Sequence, residues 1–255
     1  MDINKNTIIT FNCKDLFSLD INKIKKYLDN NQIINIKKVI NKKKINQIKK
    51  YLSGISKSTI PNFHSIKIGA PNNYRVNLND TRSIVKGWFY QFSFYPWNQD
   101  IFNFYDLFKK VFILKNRINK LNDLDFFNPK NNKDCTIRLS YQFYPTSTGF
   151  LNQHQDPVDY HQKYLMLMTM SKKGKDFKKG GLFVNINKKK INVDNYSDLG
   201  DLIIFKANLP HGVEKIDPYI KNNPLGSKGR WMALFATNKL TKNTIVSDSI
   251  DKKKS

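Results

Sequence analysis

From residue 135 onward the chain is a series of short apolar segments separated by turn signals: CTIRLSYQFY, YLMLMTM, GGLFVNI, DLIIF and GRWMALFA, joined by PTSTG, KKG, the pair Gly200 and Asp201, and NNPLGSKG. Segments this short, rich in aliphatic and aromatic residues and punctuated by Gly, Pro and Asn, read as strands. Five or more of them at this spacing call for a sandwich or a barrel, with any helices packed on its outside. The preceding half supplies those helices. Residues 15–58 read as helical: Ile21, Ile24 and Leu28 form one apolar stripe, and Ile36, Val39, Ile40, Ile45, Ile48 and Leu52 form another, with lysine pairs on the solvated face between them. Gly54, flanked by Ser53 and Ser56, predicts a stop. Residues 60–97 turn extended and aromatic, ending in GWFYQFSFYPWN. Residues 100–121 return to helix, with Asp100 as N-cap and Phe104, Leu107, Phe108, Val111 and Phe112 on one face. The expected class is α+β with a mainly β core. One domain over 1–255 is expected: an N-terminal helical and extended region (1–135) packed on a barrel core (136–238), then a frayed basic tail (239–255). No internal repeat is visible.

A hydrophobic fraction of 40% with 18 Phe and 12 Tyr fits a folded, enzyme-like body, since disordered chains lack aromatics. Cys13 and Cys135 match no metal or disulfide spacing, which fits a reducing compartment. The start, MDINKNTIITFNC, has no apolar core of signal-peptide length, and no run reaches the roughly 18 apolar residues of a membrane span. A soluble cytoplasmic protein is expected. The net charge of +24 invites a nucleic-acid reading. Almost all of it is lysine, however; the arginines are Arg75, Arg82, Arg117, Arg138 and Arg230. Lysine comes with heavy Asn and Ile usage, the bias an AT-rich genome writes into any surface, whereas phosphate and base readers favour arginine forks. A nucleic-acid partner is therefore disfavoured.

The stretch LNQHQDPVDYHQKYLMLMTM concentrates the chemistry. In an extended segment residues i and i+2 share a side, so His154 and Asp156 can face one point inside a barrel. A third ligand from another strand is available in His211, which follows DLIIF in KANLPHGVEKI. Two imidazoles and one carboxylate on one face of an ion leave other positions open, the arrangement of non-haem Fe(II) oxygenases. The competing reading is a hydrogen-bonded structural role for the three. His161 is expected at the surface or on the substrate side, and His64, in PNFHSIKIG, as an ordinary loop histidine. Trp231 and Phe235 fall opposite Arg230 and read as packing.

The order of these features extends the argument: His-x-Asp after a strand and a Gly-containing turn, Gly180 and Gly181 opening a strand, Gly200 and Asp201 another, then His211-Gly212-Val213 and a strand beginning Gly229-Arg230. The series resembles the iron(II)/2-oxoglutarate-dependent dioxygenases over roughly residues 137–237. The resemblance implies a double-stranded β-helix, a cupin-like jelly roll. It implies that His154, Asp156 and His211 ligate Fe(II) and are catalytic. It also implies that Arg230 grips the distal carboxylate of 2-oxoglutarate, for which a guanidinium fork is well suited. Arg230 lies further after His211 than is common, with KNNPLGSKG as an inserted loop, and Met232 departs from the Arg-x-Ser pattern of one large branch. On RLSYQFY, Arg138, Ser140, Gln142 and Tyr144 share a face. If it lines the cavity, Gln142 is placed to touch the co-substrate and Arg138 or Tyr144 the substrate.

The reaction so implied is hydroxylation of an unactivated C–H bond with 2-oxoglutarate and O2 as co-substrates and succinate and CO2 as co-products. With Asp156 present, an open halide position is not expected. A small polar metabolite such as an amino acid is the expected substrate; the alternatives are an oxygenase acting on a peptide, protein or nucleic acid, and a non-catalytic basic binding module on a barrel. The DNA-repair branch has a second arginine where this chain has Ala236, which disfavours that branch. Residues 60–100, with Arg75, Arg82, Trp88 and Trp97, suggest an aromatic pocket with an arginine, suited to a carboxylate-bearing substrate. The sequence carries no signal for oligomeric state.

Overall fold

The computed structural model describes residues 7–12, 14–79, 81, 83, 85–128, 134–221, 228–240 and 250–251. Cys13, Arg82, loop positions 222–227 and most of the basic tail lie outside the described residues. In chain order the elements are β1 (Ile8–Asn12), α1 (Ile21–Asp29), β2 (Ile33–Lys37), α2 (Lys42–Ser58), β3 (Asn73–Leu78), β4 (Gly87–Phe94) and α3 (Phe104–Ile118). The second half follows with β5 (Cys135–Pro145), β6 (Phe150–Gln155), β7 (Tyr164–Thr169), β8 (Gly181–Ile186), β9 (Lys189–Asn192), β10 (Leu202–Lys206), β11 (His211–Glu214), β12 (Gly229–Lys239) and the two-residue β13 (Ile250–Asp251), which pairs with β6.

Each helix starts on a side-chain cap. Asp20 accepts from the Lys23 amide at 3.0 Å and Asn41 from the Lys44 amide at 2.8 Å. Asp100 caps α3 from just outside it: its two carboxylate oxygens accept from the Phe104 and Tyr105 amides at 2.8 and 2.7 Å, while Asn103 occupies the N-cap position in left-handed backbone. Two expectations fail in this half. Ile36 belongs to a strand, because the β-branched run IINIK pairs parallel with β1 and antiparallel with β10, and tertiary pairing overrides the helical spacing. Nor does α2 stop at Gly54; it continues to Ser58, with the Ser56 and Ser58 hydroxyls donating to the carbonyls of Ser53 and Gly54.

The strands join in the order β1-β2-β10-β7-β12-β5-β4-β6-β11-β8-β9, with β3 on β4. Strand β4 pairs with β5 through Tyr90–Phe94 and with β6 through Gly87 and Trp88, so the sheet folds over there and its two runs enclose a cavity. The period-two alternation of β5 decides what goes where. Ile137, Leu139, Tyr141 and Phe143 point outward into a core shared with Ile24 and Leu28 of α1, Ile45, Ile48 and Leu52 of α2, and Phe104, Phe108 and Phe112 of α3. Arg138, Gln142 and Tyr144 point inward and line the cavity. On β12, Trp231, Ala233 and Phe235 are likewise outward and Met232, Leu234 and Ala236 inward. Helices thus cover one face of the larger run, and the polar face is kept inside.

One outward contact is costly. Lys115 of α3 is buried, and its Nζ donates to the Phe235 carbonyl at 2.7 Å. Burial, reinforced by the charge of Arg138 and partly opposed by Asp156, pulls its pKa down to about 7. Between that value and 10.5 the unfolded chain holds a proton the folded chain has released, so this group makes stability rise with pH across that window, and its penalty is full below it. Lys115→Met is therefore expected to stabilise the fold by about 1–4 kcal/mol at pH about 6. The gain should shrink toward pH about 10. Urea midpoints of both proteins at the two pH values would show it, and a pH-independent difference would contradict it.

Candidate metal centre and cavity

His154 is near the end of β6 and His211 opens β11, and the antiparallel ladder sets the two directly opposite each other. Their ring centroids are 4.2 Å apart. Asp156 follows β6 at once and is tied down by its own amide, which donates to the Ala207 carbonyl at 3.0 Å. One ligand atom from each of the three residues lies within 4.8 Å of the others. His154 Nε2 is 3.7 Å from Asp156 Oδ1.

The outer nitrogens of both rings are committed. His154 Nδ1 meets the Asn152 carbonyl at 2.8 Å and His211 Nδ1 the Leu209 carbonyl at 2.8 Å. A carbonyl can only accept, so each Nδ1 carries a hydrogen, which leaves Nε2 as the nitrogen of the neutral ring available to a metal. Burial and the neighbouring His154 pull the His211 pKa down to about 4, against a smaller opposing pull from Asp156. The imidazole is therefore neutral at pH 7, as a metal ligand must be. Among the described residues this is the one His/Cys/Asp/Glu cluster with metal-binding spacing, and its donor set, two imidazole nitrogens and a carboxylate oxygen, suits a divalent ion such as Fe(II).

The three residues line a cavity of about 200 Å³ whose opposite wall comes from β3, β4, β5 and β12. A hydrogen-bonded row runs along that wall. Arg75 Nη2 donates to Gln91 Oε1 at 3.2 Å, Gln142 Nε2 to the same oxygen at 3.4 Å, and the Tyr144 hydroxyl to Gln142 Oε1 at 2.6 Å. Burial raises the Tyr144 pKa, so the phenol stays protonated and donating.

Arg230 is on the same inward face of β12, opposite Tyr144, yet its fork is closed by the chain itself. Its Nε and Nη2 donate to the two oxygens of Asp194 at 2.7 and 3.1 Å, and both side chains are 2% exposed. Asp194 also accepts from the Leu182 amide at 2.6 Å. That approach requires a glycine before Leu182: a Cβ on Gly181, whose φ is 115°, would meet Asp194 Oδ2. Arg230 Nη1 is left buried with no partner among the described residues.

Other expected residues fall as follows. His64 lies in a loop, as expected, and lines the cavity with Phe63 and Ile66. His161 is buried beside Tyr160, 5.3 Å between ring centroids, and not at the surface, because the short bridge between Asp159 and Gln162 turns it inward. Trp231 and Phe235 pack outward as expected. Trp97 stacks on Tyr95 and donates to the Ala70 carbonyl, and neither it nor Trp88 lines the cavity. Sequence reasoning passed over Asp194, which no spacing signalled. It also passed over Gln91 and Ser93, whose alternation with aromatics in GWFYQFSF was a readable cue.

No protein-family model matches the sequence, and no curated protein matches it. Solved structures do. Neurospora crassa T7H, in complex with alpha-KG and thymine, superposes with a TM-score of 0.54 at 11% identity, covering 94% of this chain and 89% of that one. A Pseudomonas putida prolyl-4-hydroxylase gives 0.51 at 8% identity, covering 88% and 100%. A Trichoplax adhaerens prolyl hydroxylase in complex with a hypoxia inducible factor peptide fragment gives 0.51 at 12% identity, covering 86% and 88%. At such identities the likeness is one of architecture: the chain shares the double-stranded β-helix fold of these solved structures.

Proposed function

We propose that this chain is an Fe(II)- and 2-oxoglutarate-dependent dioxygenase that hydroxylates an unactivated C–H bond of a small polar molecule. The observation that carries the reading is the convergence of two imidazoles and one carboxylate, one ligand atom of each within 4.8 Å of the others, on the wall of a cavity. His154, Asp156 and His211 would hold the metal, with each imidazole oriented by a backbone carbonyl. The metal with O2 and the keto acid would supply the oxidising power for attack on the C–H bond.

The chain's own part is binding, orientation and exclusion of water. Arg230, aimed by Asp194, offers its remaining Nη1 hydrogens beside Tyr144, a setting suited to the distal carboxylate of the keto acid. Gln142 stands between Tyr144 and Gln91, where it can orient the same co-substrate. Leu165, Leu167, Met232 and Leu234 keep the rest of the wall apolar. The cavity volume favours a small molecule, since pockets for drug-sized ligands run to roughly 300–1,000 Å³.

The test is an anaerobic titration of metal-free protein with Fe(II) and 2-oxoglutarate, followed by the weak visible absorption of the chelated keto acid. Wild-type protein is expected to develop the band, His211→Ala to lack it, and succinate release then to report on candidate substrates. A wild-type protein that binds neither iron nor keto acid would reduce the cluster to a structural hydrogen-bonding group.

A further inference from the structure

Among the described residues, the cavity is lined by a cation that neither the metal centre nor the co-substrate uses. Its charged lining residues are Arg75, Arg138, Lys239 and Asp156. Asp156 belongs to the metal cluster, Lys239 is paired with Asp159, and Arg75 is bonded to Gln91. Arg138 differs from these. It stands inward on β5 opposite Ala236, whose methyl group cannot reach it, and its Nε is buried with no hydrogen-bond partner among the described residues. No described carboxylate forms an ion pair with it. Arg138 lines the same cavity as His154, Asp156 and His211.

Distance separates this cation from the co-substrate's end. Tyr144, with Arg230 and Arg75 around it, lies six positions along β5 from Arg138. At about 3.3 Å per residue that is roughly 20 Å of strand, more than a five-carbon diacid can span. A guanidinium partly stripped of water without a counter-ion is unfavourable, and a bound anion would offset that cost. A carboxylate matches the fork with two parallel bonds. The register sets Ser93 beside Ser140, with Asn73 next to Ser93 on β3, and Asn238 beside Thr136, so polar side chains flank Arg138 on both neighbouring strands.

We propose that Arg138 binds the carboxylate of the substrate and so fixes an aliphatic carboxylic acid with its C–H bonds over the metal cluster. The oxidation itself rests on the oxygenase reading; the anion site does not. Both are tested by calorimetric titration of the protein, metal-free and loaded with Mn(II) and 2-oxoglutarate. The probes are butyrate, 2-aminobutyrate and benzoate, with butyramide, benzamide and butyl phosphate as counterparts.

Carboxylates are expected to bind wild-type protein and to bind Arg138→Gln at least tenfold more weakly, with Arg138→Lys between the two and the amides not binding. The proposal is overturned if amides bind as tightly as acids, if Arg138→Gln binds acids as well as wild type, if the phosphate ester alone binds, or if no carboxylate binds. Failure to take up Mn(II) and 2-oxoglutarate would instead count against the oxygenase reading, and the metal-free titrations would still decide the anion site.

Discussion

Asp194→Ala is expected to lower folding stability by about 3–5 kcal/mol, because it strands the buried guanidinium of Arg230 without its counter-ion. The reasoning is geometric. Both partners are 2% exposed, the pair is bidentate, and the same carboxylate also satisfies the Leu182 amide, so one substitution orphans three donors. Urea denaturation would measure the loss directly. The double variant Asp194→Ala, Arg230→Met removes both charges and is expected to recover most of the stability, since an apolar pair of similar volume is often neutral or better than a buried ion pair. It should nonetheless fail to form the iron and keto-acid absorption band. Full stability with an intact band in the double variant would remove Arg230 from co-substrate binding; a single variant as stable as wild type would mean that water reaches the pair.

Mn(II) supplied at about a hundred times its dissociation constant is expected to stabilise the wild-type fold by about 2.7 kcal/mol, the linkage for one site present in the folded state alone. Asp156→Ala should show almost none of this shift, because the remaining two imidazoles share no charge with the ion. Equal shifts in both proteins would place the ion elsewhere. The metal-free protein should also be acid-sensitive. His211 is held neutral down to about 4, whereas an unfolded histidine takes its proton near 6.5, so the unfolded state binds more protons between those values. Stability is then lost as pH falls through that window, and bound metal, which requires the same neutral imidazole, steepens the loss. Thermal unfolding at several pH values with and without Mn(II) reads both effects.

Much of this was legible in the sequence, and the misses share a cause. The short strands after residue 135, the α3 stripe and the trio His154, Asp156 and His211 were readable because each rests on local periodicity or on residues too rare to be common by accident. The outward packing of Trp231 followed from the same period of two. Ile36 misled because its helical spacing with Val39 and Ile40 was overridden by pairing with β1 and β10, partners no local window contains. Asp194 was invisible for the same reason. Its importance comes from meeting Arg230 and Gly181 in space, and one acid in VDN carries no mark of it. The inward face of β5 was readable as a face, but only the closed sheet set β4 and β3 beside it and brought the cluster on β6 and β11 across from it.

The direct pairing of β6 with β11 has a consequence for how the molecule assembles. The two imidazoles belong to strands separated by four others in the chain, so the donor set does not exist until a long segment has already closed on itself. Closing that segment is among the slower events available to such a topology. An ion gripped across the seam would act as a removable rivet between strands brought together from distant parts of the chain, making their pairing sensitive to a chelator.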